Sequence, residues 1–179
     1  MAVTRIFGID PGSVRTGIGI VELDRITTRH LHHTVIETGG GELPARLKVI
    51  FDAVSELIHE YQPDEVAVET VFMRNNADSA LKLGQARGAA ICAAMAMSRS
   101  VAEYGPRQVK QAIVGRGVAE KQQVQHMIGV LLGIDGRIPE DAADALGIAV
   151  THAHHLQTAQ RLDANGARAA VLAQARRRR

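Results

Sequence analysis

Asp10, Glu69, Asp141 and Asp144 are the residues of this chain best placed to do chemistry. Asp10 ends the apolar run Arg5-Ile-Phe-Gly-Ile-Asp10, just before Pro11-Gly12. An ionised carboxylate at the end of a buried strand is costly unless it is paired or holds a cation. Its turn, Asp10-Pro-Gly-Ser-Val-Arg-Thr-Gly17, is rich in small residues and lets a ligand approach the backbone closely. Glu69 ends the short run Glu65-Val-Ala-Val-Glu69. In a strand, Glu65, Ala67 and Glu69 share one face, with Val66 and Val68 on the other. Asp141 and Asp144 stand three apart in Pro139-Glu-Asp-Ala-Ala-Asp-Ala-Leu146 and project from one face of a helix's first turn. Each acid also has an ordinary account. Asp10 would be a turn former beside Pro-Gly, Glu69 a solvent-facing edge residue, and the Asp pair a favourable charge on a helix N-terminus. Against the last account, the intervening alanines are small enough for the helix to pack closely on a sheet and turn the pair inward.

Taken together, the four acids form a hard, oxygen-rich ligand set that needs no His or Cys, and such sets suit Mg²⁺ or Mn²⁺. Packed carboxylates repel one another, so without a cation some would keep a proton. Two divalent ions about 3.5–4 Å apart would bridge a phosphate, activate water and stabilise the leaving oxygen. The reaction implied is metal-assisted phosphodiester hydrolysis. It requires four residues far apart in the sequence to converge.

The elements that must bring them together follow from periodicity and breakers. Residues Arg5–Asp10, Thr16–Val21 and Thr34–Thr38 are expected as three strands, the first two joined as a hairpin, giving an antiparallel start. Apolar residues spaced three and four apart from Leu47 to Ile58 predict an amphipathic helix opening near Pro44 and broken at Gln62-Pro63-Asp64. A strand at Glu65–Glu69, an Ala-rich helix at Ala77–Ser98 and a strand at Val101–Tyr104 come next. Two short helices, near Arg107–Val114 and Glu120–Leu132, are split by Gly115-Arg116-Gly117, and the last helix is expected over Asp141–Leu156. This order makes an α/β fold with a mixed sheet, three strands antiparallel and two parallel, flanked by helices.

The chain has 179 residues, 46% of them hydrophobic, which suits one domain with a sizeable core. Residues 1–157 form the expected domain, and 158–179 an Ala/Arg-rich tail that is either a frayed helix or disordered. One cysteine, Cys92, excludes a disulfide framework and suits a reducing cytoplasm, the expected location. The sequence has no visible signal peptide, and the uncharged stretch Gly88–Ser98 is too short to span a bilayer, so no membrane partner is expected. The formal net charge is only +2. Its distribution says more: Asp52–Glu69 holds six acids and no Lys or Arg, whereas Phe72–Gln125 holds eight bases against three acids. A basic stretch after an acidic one fits a polyanion beside a carboxylate site, although solvated helix faces give the same pattern.

Six motifs then carry a resemblance over roughly residues 4–157. They are Gly8-Ile-Asp-Pro-Gly12, Glu69-Thr-Val-Phe-Met73, the run from Asn76 to Gly88, Gly105-Pro-Arg-Gln-Val-Lys-Gln111, the run from Ala119 to Met127, and Asp141-Ala-Ala-Asp-Ala-Leu146. In these the chain resembles the RuvC family of Holliday junction resolvases. The resemblance implies an RNase H-like fold, a homodimer, and symmetric nicking of two like-polarity strands in a four-way DNA junction. It also implies work with the RuvA–RuvB branch-migration machinery and a short T-containing cleavage sequence. The family's metal-binding acids match Asp10, Glu69, Asp141 and Asp144, with two Mg²⁺ per subunit expected and Mn²⁺ able to substitute.

DNA contacts are expected from the basic stretch. Phe72 lies in the polar loop Val71-Phe-Met-Arg-Asn-Asn76, as either a core anchor or a wedge that stacks on an unpaired base, and the resemblance favours the wedge. Arg74, Asn75 and Asn76 would meet base edges or phosphate. Lys110 and Lys121 match family positions near the cleft, where they would position phosphate, with Lys121 also stabilising charge as the bond breaks. Arg107 and Arg116 extend the strip. Gly84 and Gly88 weaken the long helix by on the order of 1 kcal/mol each unless close packing offsets it, within the subunit or across a dimer axis. Two groups of histidines, His30, His32 and His33 and His152, His154 and His155, lack a spacing that fixes a common face and are expected as surface or satisfied core residues. The four terminal arginines would add nonspecific, salt-sensitive attraction to DNA or be inert.

Two other functions compete. A nucleotide-binding phosphotransferase of the actin and sugar-kinase type would share the three-strand start and the Asp10-Pro-Gly12 turn, but it needs a second lobe for which 179 residues are expected to be too few. A module that holds junctions without cutting would not need all four acids.

Overall fold

The computed structural model describes residues 3–70 and 77–164. Five strands, β1 (Thr4–Asp10), β2 (Arg15–Asp24), β3 (Thr27–Glu37), β4 (Glu65–Glu69) and β5 (Val101–Tyr104), form one sheet in the order β3-β2-β1-β4-β5. β1 to β3 are antiparallel neighbours, while β4 pairs parallel with both β1 and β5. This is the expected RNase H-like arrangement.

Strands β2 and β3 are longer than periodicity indicates. β3 begins at Thr27 rather than Thr34, and its histidines lie within the ladder. A β-bulge between the partners of Ile20 and Val21 shifts the register there, so strict alternation fails along β3. The bulge sets His30 and His33 side by side, Nε2 to Nδ1 at 2.9 Å, whereas His32 stacks on Tyr61 with ring centroids 4.9 Å apart.

Helices cover both faces. α1 (Leu43–Tyr61) and α2 (Ala77–Ala96) pack on one, against Phe7, Ile9, Ile18, Ile20, Val66 and Val68. α1 starts with Pro44 in its first turn and stops where Gln62 turns left-handed at φ 47°. The other face carries α3 (Pro106–Val114), α4 (Lys121–Leu132) and α5 (Glu140–Ala164), which close over Ile6, Val21, Leu23 and Ala67. α5 runs eight residues past its expected end at Leu156. Among the described residues no helix is long and apolar enough to cross a membrane.

α5 approaches the sheet almost backbone to backbone. A Cβ at Gly8 would fall 2.2 Å from the Ala145 carbonyl oxygen, and one at Gly19 would fall 2.5 Å from the Leu146 amide nitrogen. The small residues of β1 and β2 thus admit the helix, and Ala142, Ala143, Ala145 and Ala149, nearly or wholly inaccessible to solvent, seal the seam.

Candidate active site

Alternation along β1 puts Ile6, Gly8 and Asp10 on the α5 face, since Phe7 and Ile9 belong to the opposite core. The same parity in β4 puts Ala67 and Glu69 on that face. Both acids therefore end parallel strands at the same edge, beneath the start of α5, which carries Asp141 in its first turn and Asp144 just after it. The four predicted acids come together there.

Their electrostatics report the convergence. Burial, then the charges of Glu69, Asp144 and Asp141, push the Asp10 carboxyl up to about 8, with only Lys121 pulling the other way. Burial raises Asp144 as well, although the Lys121 ammonium opposes the shift. Burial and like charge thus favour the protonated form of Asp10, as expected where carboxylates crowd together.

Two bases partly supply that charge. Lys121 Nζ lies 2.8 Å from Asp144 Oδ2 and also bonds Glu140. Burial works to lower the ammonium's pKa, but these hydrogen bonds outweigh it and hold the group above the usual lysine range. On the opposite flank Arg15 Nε donates to Asp141 Oδ2 at 2.8 Å. Among the described residues no three acids or histidines are drawn tightly enough, in these rotamers, to close around one ion. The donor set nevertheless fits a divalent cation. It is all carboxylate, burial and acidic neighbours raise the pKa of its central member, and an ammonium and a guanidinium already pair with Asp144 and Asp141.

The scaffold behind the acids is fastened by polar contacts. Thr16 Oγ1 donates to the Gly12 carbonyl at 2.9 Å, and Thr38 Oγ1 donates to Ser13 and Val14, closing the turn after Asp10. Arg87 Nε, from α2, donates to the Glu69 carbonyl at 3.1 Å, and its guanidinium pairs with Glu103 on β5. Tyr104, at the end of β5, shares a buried hydrogen bond of 2.7 Å with His152 Nδ1 on α5. Burial lowers the His152 pKa, and the ring packs in the core against Tyr104.

The remaining predicted contacts divide. Lys121 joins the site. Lys110 instead donates from Nζ to the Ala119 carbonyl at 2.9 Å, tying down the loop before α4. Arg107 and Arg116 are exposed, and the aliphatic part of Arg107 lies against Gly117. Phe72, Arg74, Asn75 and Asn76 fall outside the described residues. Among the described residues Gly84 and Gly88 have nothing within 4 Å of an added Cβ, so packing against those residues does not account for them. Sequence reasoning passed over Arg15 and Glu140, both inside motifs already singled out. The available signal was an Arg five residues after Asp10 and an acid directly preceding Asp141. Beside Asp141 and Arg15 opens a groove of about 1070 Å³, bordered by Gln122, His126 and Arg137.

The comparisons agree with this geometry. The family profile described as crossover junction endodeoxyribonuclease RuvC matches residues 6–152. The chain is 54% identical over 162 residues to the crossover junction endodeoxyribonuclease RuvC of Xylella fastidiosa (strain 9a5c), covering 89% of this chain and 94% of the relative. To that of Xanthomonas axonopodis pv. citri (strain 306) it is 53% identical over 165 residues, covering 91% and 95%. Thermus thermophilus RuvC in complex with Holliday junction substrate superposes with a TM-score of 0.81 at 37% identity, over 87% of this chain and 96% of that one. The yeast mitochondrial Holliday junction resolvase Ydc2, at 12% identity and a TM-score of 0.63 over 84% and 78% of the two chains, shares the fold. With four acids gathered at the sheet edge and matches along nearly the whole length, the chain belongs to the RuvC family of Holliday junction resolvases, the crossover junction endodeoxyribonucleases.

Proposed function

We propose that this chain binds a four-way DNA junction as a homodimer and nicks two like-polarity strands symmetrically, in recombination and repair, by metal-dependent phosphodiester hydrolysis. The observation that carries the reading is the placement of Asp10 and Glu69 at the ends of adjacent parallel strands, on the face that α5 covers with Asp141 and Asp144. The junction bound to the similar Thermus thermophilus protein supports the substrate class.

Asp10, Glu69, Asp141 and Asp144 would hold Mg²⁺, two ions per subunit, with Mn²⁺ able to substitute. Such ions, when bound, polarise the phosphate, lower the pKa of water and stabilise the leaving oxygen. The chain's own residues supply the rest. The strand ends fix Asp10 and Glu69, and the tight seam under α5 fixes the height of Asp141 and Asp144 above them. Lys121 brings a positive charge that persists at any working pH and faces the scissile phosphate as negative charge builds. The groove beside Asp141 gives a DNA backbone room to reach the acids. Lys110, Arg107 and Arg116 lie along α3 and the turn after it, where phosphates would pass, and Phe72 with Arg74, Asn75 and Asn76 would open and hold the junction centre.

The homodimer finds support on α2. Among the described residues nothing packs on Gly84 and Gly88, and Leu81, Cys92 and Met95 are exposed along the same helix, a face that suits a second helix at close range. Cooperation with RuvA–RuvB in the cytoplasm completes the reading. Incubation of the protein with a labelled synthetic four-way junction, with and without Mg²⁺, tests it. Paired symmetric nicks that require the metal are expected, and an intact junction under both conditions would overturn the reading.

A further inference from the structure

Arg15 stands between two acids, and only one belongs to the quartet. Its Nε donates to Asp141 Oδ2 at 2.8 Å, and its Nη1 lies 3.6 Å from Glu37 Oε1. Glu37 is the direct partner of Arg15 across the β2–β3 ladder, so backbone pairing fixes the distance between them. Lys121 repeats the pattern on the other flank, with Asp144 inside the quartet and Glu140 outside it. Each base thus has a second acid within reach of a small side-chain rotation. A divalent cation at Asp141 would repel the guanidinium, and Glu37 offers that charge a place to go without full exposure to water.

We propose that Arg15 is a positioning residue of the metal centre, holding Asp141 while the site lacks metal and shifting its pairing to Glu37 when a divalent cation takes that carboxylate. The inference rests on the metal centre proposed above. Arg15 keeps Asp141 oriented and partly offsets its negative charge, so that Asp10 and Asp144 meet less repulsion before metal arrives. Glu37 sets how readily the guanidinium leaves.

The test is calorimetric titration of the metal-free, full-length protein with Mn²⁺ alone, which needs neither DNA nor turnover. Glu37→Gln removes the alternative partner, so Arg15 competes harder for Asp141. Exposed ion pairs of this kind are worth up to about 1 kcal/mol, so Mn²⁺ affinity is expected to fall by about fivefold. In an Arg15→Gln background the same change is expected to do nothing, and in an Arg15→Lys background the sensitivity is expected to return. Glu22→Gln serves as the control, because Glu22 pairs with Arg5 at 2.8 Å near the other end of β2 and should leave affinity unchanged. Thermal melts confirm that each variant is folded. An equal effect of Glu37→Gln with and without Arg15, or none in either, overturns the proposal while the metal centre stands. If the parent protein binds no Mn²⁺, or Asp10→Asn binds it equally well, the metal centre itself fails. If Arg15→Gln leaves Mn²⁺ affinity unchanged yet weakens junction binding in chelator, Arg15 is a phosphate contact and the proposal is wrong.

Discussion

Gly17 on β2 lies directly beneath Asp141 at the start of α5, and a Cβ added to it would stand 1.9 Å from the Asp141 carbonyl oxygen. With Gly8 and Gly19 it makes the flat track on which the helix bearing two of the four acids rests. The height of Asp141 and Asp144 above Asp10 and Glu69 therefore depends on residues that have no side chains.

Gly17→Ala should lift the first turn of α5 off the sheet. Overpacking of this kind costs about 1–3 kcal/mol, so the urea midpoint is expected to drop, and Mn²⁺ affinity with it. Gly84→Ala is the contrast. It sits inside α2 with nothing among the described residues in the way, and should stabilise the isolated subunit by up to about 1 kcal/mol through helix propensity. Urea unfolding at low protein concentration compares the two.

The protonated Asp10 makes a prediction about pH. Its carboxyl titrates at about 8 in the folded chain against an ordinary value of 3.8. Between those limits the folded state holds a proton that the unfolded state has released, so stability of the metal-free protein falls as pH rises from about 4 to about 8 and then levels off. The loss is on the order of a few kcal/mol. Asp10→Asn should flatten that slope and be the more stable protein in chelator at pH 8, while failing to cut. Melting temperatures measured across the pH range with EDTA check both points.

Asp144→Asn separates catalysis from recognition. It removes a carboxylate from the proposed metal centre while every base expected to meet phosphate stays in place, Lys121 losing one acidic partner but keeping Glu140. Nicking in Mg²⁺ should fall at least about 100-fold, because metal stabilisation of the transition state is worth several kcal/mol. Junction affinity in a gel-shift assay should stay within about twofold of the parent, a change of under 1 kcal/mol. Affinity falling as far as activity would show that the acid does something other than hold metal.

Tyr104→Phe probes the joint between β5 and α5. The change strips the hydrogen bond from His152 Nδ1, in a ring whose Nε2 already sits 3.7 Å from Glu65 and has no hydrogen-bond partner among the described residues. A buried polar atom left unsatisfied costs about 1–3 kcal/mol, to be seen in equilibrium unfolding.

Local pattern made most of this molecule legible in its sequence. Glu65–Glu69 and Val101–Tyr104 appear as strands with the bounds their breakers imply, because Pro63 and Gly105-Pro106 interrupt the chain whatever surrounds it. The candidate acids were legible too, since a carboxylate that ends an apolar strand contradicts its surroundings and needs a reason. Other features exist only once the chain has folded. The bulge that carries β3 back to Thr27 arises from pairing with β2, which no window of single-strand alternation contains. The pairing of Arg15 with Asp141 joins residues 126 positions apart, and it was settled by glycines whose meaning as a helix seat emerged only when α5 lay across them. Charge type and spacing are written locally. Which base meets which acid is set by the close packing of backbones remote in sequence, because electrostatic pairing over a few ångströms depends on distances that only the assembled sheet and helix define.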